Sequence, residues 1–171
     1  MVRFAWLALL VAACATDDRP RTIDYVTEAI LAPSCGTAEC HSTFSAQLTD
    51  IFDTVKGARS SIVRNALVRL DSVPQYDPDA PGNATLIIWI TRTDPFGLGI
   101  GRMPQDAPLP NEDVELLQRW ISEGASGAQC DPDANGGMAC NDKALFTCNS
   151  DWSFGDEVME CANNCSAGTC Q

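Results

Sequence analysis

Between residues 22 and 128 the apolar positions recur mostly at helical spacing, and the breaks between them are marked by Pro and Gly. Thr22 is placed to cap a helix over 23–31, with Ile23, Val26, Ala29 and Ile30 on one face and Pro33 ending it. Leu48, Ile51, Phe52 and Val55 predict a second helix over 46–55, stopped by Gly57, and a third is expected over 60–70. Pro81-Gly82 reads as a turn, after which Asn83 caps a helix over 84–91. The β-branched run Ile87, Ile88, Ile90 reads equally well as a buried strand. The clearest helix is the last. Asn111 caps it, Glu112 and Asp113 sit at the positive end of its dipole, Val114, Leu117, Trp120 and Ile121 line its apolar face, and Gly124 stops it. Between these two elements runs a long glycine-rich loop, from Thr93 through Gly97, Gly99 and Gly101 to Met103-Pro104. Loops of that length in a small domain either bind something or lack order.

Beyond residue 128 the periodic pattern gives way to Gly, Asn, Asp and Cys. Cys130, Cys140, Cys148, Cys161, Cys165 and Cys170 crowd into a segment too short for a sufficient hydrophobic core. Such a density implies a disulfide framework, each bridge contributing about 2–4 kcal/mol, with fifteen pairings open. Leu145, Trp152 and Phe154 are its candidate apolar centre. Asp131, Asp133 and Asn135, with Asp142 further on, have the oxygen spacing of a calcium loop. A plain Asx and glycine turn sequence is the competing reading. The segment resembles short cysteine-rich segments of exported myxobacterial proteins, which implies a structural or adhesive role.

At the other end, Arg3, the apolar run Phe4 to Val11 and the small pair Ala12-Ala13 form an export signal. The run falls short of the roughly 20 residues that a membrane span needs. Leu10-Val11-Ala12-Ala13-Cys14 resembles the bacterial lipobox, and the resemblance implies that Cys14 becomes the acylated first residue of the mature chain. An ordinary secretory signal, with Cys14 removed or free, is the alternative. The expected organisation is therefore a signal peptide at 1–13, a lipidated tether at 14–21, a helical domain at 22–128 and a cysteine-rich module at 129–171. The chain carries 23 Asp and Glu against 11 Lys and Arg, a net charge of -12. That balance argues against nucleic acid and favours protein partners with basic patches.

The chemistry concentrates in Cys35-Gly-Thr-Ala-Glu-Cys40-His41, which holds the only histidine. Two thiols followed by an imidazole is the arrangement that binds a covalent haem: the thiols add to the vinyl groups and the histidine takes the iron. Four residues separate the cysteines here, against two in the common motif. Of nine cysteines, one is assigned to lipid and two to haem, leaving six to pair. A Cys35–Cys40 disulfide, worth about 2 kcal/mol, preserves the same parity. It would make the protein a haem-free structural or binding surface lipoprotein, with His41 exposed and Met103 an ordinary core residue. One histidine and two thiols make an incomplete site for copper or zinc.

The order of parts (helix, Cys/Cys-His, intermediate helices, Met103-Pro104 loop, then a helix ending Trp120-Ile121-Ser-Glu-Gly124-Ala125) is similar to a small monohaem cytochrome c domain. It is closest to lipoprotein-borne forms with widened attachment spacing, and the likeness covers residues 22–125. The resemblance implies a mainly α fold, followed by a disulfide-rich module with little regular structure or short β-strands. It implies haem c bound through thioethers from Cys35 and Cys40, with His41 as proximal and Met103 as distal iron ligand. Gly97, Gly99 and Gly101 would let the loop pass close to the flat cofactor, while Met138 and Met159 would serve packing or the surface. The expected role is an electron carrier, not an enzyme, exchanging electrons with redox partner proteins. Its expected place is the periplasmic side of the envelope or the cell surface, with the outer membrane favoured.

Overall fold

The computed structural model describes residues 17–45, 50–68 and 79–171. The export signal, Cys14 and parts of the helices expected at 46–55 and 60–70 lie outside those residues. The order of elements is α1 (Ile23–Val26), a π-helical turn (Thr27–Leu31), α2 (Ala32–Ser34), α3 (Val55–Arg64), α4 (Thr85–Thr91) and α5 (Asn111–Ser122). Strands β1 (Met138–Asn141), β2 (Ala144–Cys148), β3 (Phe154–Glu160), β4 (Cys165–Ser166) and β5 (Thr169–Cys170) follow.

The expectation of a mainly α protein is thus corrected. The helices are short, long stretches between them are irregular, and all regular structure after Ser122 is antiparallel sheet, β1-β2-β3 and β4-β5. The physical reason lies in the turns. Asn141 pairs with Ala144 across a two-residue loop in which Asp142 has φ 54, and Ser166 pairs with Thr169 across Ala167 and Gly168, with φ 48 and 70. Left-handed residues in two-residue loops match the twist of paired strands and fold each segment into a hairpin.

Pro33 does not end the first helix. Its ring forbids the ordinary bond to the carbonyl four residues back, and the wider π-turn just before it absorbs the mismatch, Ala32 N–H donating to Thr27 O. The wider turn rotates the apolar face: Ile23, Val26, Ile30 and Leu31 are buried, while Ala29, expected among them, is exposed. The helix expected over 46–55 is also corrected within its described part. Residues 50–54 are irregular, and the helix starts at Val55 because the Thr54 hydroxyl accepts the Gly57 N–H at 3.1 Å. Gly57 therefore lies in the first turn instead of stopping a helix. The expected third helix merges with it and ends at Arg64.

The stretch 84–91 is helical from Thr85, although Ala84 and not Asn83 occupies the cap, without a side-chain bond. In α5, Pro110 is the cap and Asn111 the first helical residue, and Gly124, with φ +99, follows its end. Ile23, Val26, Ile62, Leu86, Ile87, Leu117, Trp120 and Ile121 meet in one core. Along α5, Arg19 donates to Asp113 at 2.5 Å and Arg21 to Glu123 at 2.6 Å, so the chain just ahead of α1 is strapped to the closing helix.

The cysteine-rich segment is stapled by Cys130–Cys148, Cys140–Cys165 and Cys161–Cys170. Leu145 is buried among cystine sulfurs, with Met138 packed beside them. The disulfides supply much of the apolar centre expected from Trp152 and Phe154. Gln129 joins the two parts, its amide donating to Gly124 O at 2.7 Å and its carbonyl accepting the Phe154 N–H at 2.8 Å.

Candidate functional site

The attachment motif begins where α2 runs out. The N–H groups of Cys35 and Gly36 both donate to Leu31 O, at 2.7 and 2.9 Å, satisfying a helix-end carbonyl twice over. The intervening residues then turn back: Cys40 N–H donates to Thr37 O at 2.9 Å and His41 N–H to Cys35 O at 3.0 Å. The four-residue spacing is thus closed into a compact turn, with Cys35 buried and Cys40 exposed. Both thiols are free. Burial pushes the Cys35 thiol up to about 12, the neighbouring Cys40 adding to the shift.

A neighbouring irregular segment, 50–53, holds the histidine. Phe52 N–H donates to His41 O at 2.7 Å, and the His41 ring meets the Phe52 ring edge-on at 5.4 Å. His41 Nδ1 lies 3.2 Å from Asp50 O. In the tautomer that makes this bond, Nδ1 donates and Nε2 is left with its lone pair, the state in which a histidine binds metal. Asp53 Oδ2 accepts from the Thr43 N–H at 2.8 Å and hydroxyl at 2.7 Å, fastening the chain just after His41. Burial opposes ionisation of Asp53, but these hydrogen bonds and one from its own N–H outweigh it and hold the carboxyl below its ordinary value. Gly36 packs on the same segment so closely that a Cβ there would lie 2.6 Å from Asp53 N.

Met103 is brought in by the end of α4. α4 leaves carbonyls unpaired at its C-terminal end, and the Met103 N–H takes that of Trp89 at 2.9 Å. Cys35, Cys40, His41 and Met103 all line one cleft of about 600 Å³, together with Pro33, Glu39, Asp106 and the proline-rich 104–110 segment. That volume is within the range of ligand and cofactor pockets. Gly97, Gly99 and Gly101 do not line it. Their φ values of +68, +67 and +86, with open space where a Cβ would be, make them turn residues of a projecting loop. A second cleft, about 200 Å³, lies between α3 and the cysteine-rich module and contains neither the histidine nor a free thiol.

Asp131 accepts the Asp133 N–H at 2.9 Å, an Asx turn, and Asp142 sits in the β1-β2 hairpin away from that turn in sequence. Among the described residues no group of three His, Cys, Asp or Glu side chains is arranged to hold a metal ion. A haem axial pair, one histidine and one methionine, would not form such a group. Met159 is half exposed and Met138 packs on the cystine cluster. Asp50, Phe52 and Asp53 were not singled out by sequence for their chemistry. Asp50 acts through its backbone carbonyl, which leaves no signature in residue type.

No family model, no curated protein and no solved structure matches this chain. Among the described residues no helix is long and apolar enough to cross a membrane.

Proposed function

We propose that the protein is a c-type cytochrome, an electron carrier that holds one covalent haem in the Cys35–Met103 cleft. The observation that carries this reading is that a single cleft gathers the chain's only histidine, the two thiols that are free among the described residues and a methionine fastened at the end of α4. Cys35 and Cys40 would form the thioether bonds, His41 would bind the iron through Nε2, and Met103 Sδ would supply the second iron ligand. Haem iron bound by His and Met exchanges one electron and favours the ferrous state, which suits electron transfer. The protein's own part is to fix the ligands. Asp50 O orients the imidazole, Phe52 backs it, Asp53 ties down the following chain, and the α4 C-terminus holds the methionine. With His41 and Met103 both holding the iron, no ligand position on it would be left open for a substrate.

The same reading places the protein outside the cytoplasm, attached through a lipid on Cys14. Three disulfides fit an oxidising compartment, and the apolar run before Cys14 fits an export signal. The acidic surface would favour redox partners with basic patches. The test is a reduced pyridine haemochrome spectrum after expression with a c-type maturation system. A covalent haem band that disappears in Cys35→Ser/Cys40→Ser supports the reading. Absence of that band in the wild type, with Cys35 and Cys40 recovered as one disulfide peptide, contradicts it.

A further inference from the structure

The loop leading to Met103 projects three large apolar side chains, Phe96, Leu98 and Ile100, which are 47%, 58% and 48% exposed. They alternate with Gly97, Gly99 and Gly101, whose positive φ values and empty surroundings hold that stretch clear of the body. The loop is ordered from within: Asp94 accepts the Gly99 N–H at 2.8 Å, and the Phe96 ring lies edge-on to Trp89 at 5.5 Å. Its two stems carry Arg92 and Arg102, and neither makes an ion pair with any described residue, although acids outnumber bases two to one in the chain. Arg92 is exposed, whereas Arg102 is half-buried with its Nε unpartnered. An apolar tip above an exposed cation is the pattern of a segment that seats in a bilayer interface, apolar side chains among the acyl chains and the arginine at the headgroups.

The strap at the start of the chain supplies the occupant. Asp17 lies three residues after Cys14, a reach of at most about 11 Å, and Arg19 is fixed on α5 through Asp113 and the Glu112 carbonyl. A lipid on Cys14 would therefore hold the folded body against the membrane, and some face of it must meet the headgroups. We propose that the 94–102 loop is that face, docking on a phospholipid bilayer with anionic headgroups. Charges beyond about 8 Å are largely screened at physiological ionic strength, so the acids elsewhere on the chain count little and the contact is set by the groups at the loop, Arg92 and Arg102 beside Asp94, whose carboxylate already accepts the Gly99 N–H. The tether argument rests on the lipid anchor proposed above, whereas the loop geometry does not rest on the haem.

The test uses the mature chain, residues 14–171, carrying Cys14→Ser so that no acyl group contributes, and vesicle co-sedimentation. Vesicles of equal parts phosphatidylcholine and phosphatidylglycerol should bind the protein. Pure phosphatidylcholine vesicles should bind it several-fold less. Leu98→Asp/Ile100→Asp should weaken binding about tenfold or more with unchanged thermal unfolding, and Arg92→Glu should remove the preference for the anionic vesicles. Absence of binding to either vesicle, equal binding to both, or binding indifferent to the loop substitutions each overturns the proposal. Loop-dependent dimerisation without vesicle binding would overturn it in favour of a second copy of the chain. The mass of the wild-type N-terminus reads the anchor separately, so loss of the anchor and loss of the docking loop are told apart.

Discussion

Replacing Gly36 with Ala tests how the attachment turn is seated. A Cβ at this position would lie 2.6 Å from Asp53 N, 2.7 Å from Asp53 Cα and 2.8 Å from the Phe52 carbonyl carbon, all backbone atoms that cannot rotate away. The turn and the 50–53 segment must separate, and the same seam carries the Phe52 N–H bond to His41 O and the His41 Nδ1 contact with Asp50 O. Overpacking of this kind costs about 1–3 kcal/mol, and the strained hydrogen bonds place Gly36→Ala toward the upper half of that range. In a protein of this size, a 2 kcal/mol loss corresponds to a melting temperature lower by about 4–8 °C. Gly82→Ala is the control, because its added Cβ meets only the Gln118 side-chain nitrogen, at 3.4 Å, and it should stay within about 0.5 kcal/mol of the wild type or gain slightly. Thermal unfolding of both variants reads the difference, and haem content per chain reads its consequence at His41. A Gly36→Ala protein as stable as Gly82→Ala would refute the close packing of the turn on Phe52 and Asp53.

Other substitutions probe separate parts of the structure. Removing Cys140 and Cys165 together should cost about 3.5 kcal/mol in denaturant unfolding, and removing Cys161 and Cys170 about 2.6 kcal/mol, because the bridges close loops of 25 and 9 residues. Arg19 donates to Asp17 and holds its carboxyl at about 2 against an ordinary 3.8. Because the folded value is the lower one, the pairing stabilises above the ordinary value and is lost as pH falls through the folded one. The stability gap between wild type and Asp17→Asn should thus be present at neutral pH and close between pH 3.8 and 2. Under the cytochrome reading, Met103→Ala should lower the reduction potential and open the iron to added imidazole. An unchanged potential would remove Met103 from the iron.

What could be read from residue order was set by local chemistry. α5 was legible from its acidic first turn, its spaced Leu117, Trp120 and Ile121, and Gly124. That the six cysteines after residue 128 pair among themselves was also legible, because they lie apart from Cys35 and Cys40 in a segment of different composition. Which of the six pair was not, since that depends on where the hairpins bring the sulfurs. The start of α3 was misread because Gly57 was taken as a helix stop, whereas the Thr54 cap and the close approach of Ile51, 2.5 Å from a Cβ at Gly57, require glycine inside the first turn. Ala29 was misplaced because periodicity assumes a uniform helix, and the π-turn ahead of Pro33 breaks that assumption. Short strands were one of the two expectations for the cysteine-rich module, but their pairing into sheets was not legible. The strands are short and mostly half exposed, and the signal lay in left-handed turn residues such as Asp142 and Gly168. The meeting of Cys35, Cys40, His41 and Met103 in one cleft was expected from resemblance, and its supports at Asp50 O and Trp89 O are backbone groups that sequence cannot mark.

The proposed cytochrome requires Cys35 and Cys40 to carry one haem between them despite their wide spacing. Mass analysis of the protein produced with a c-type maturation system tests this most directly, first on the intact chain and then on the peptide that spans Cys35 to His41. The account predicts a chain heavier by one haem, with the added mass on that peptide and both thiols resistant to alkylation after reduction. A peptide of unmodified mass whose two thiols alkylate freely would contradict it.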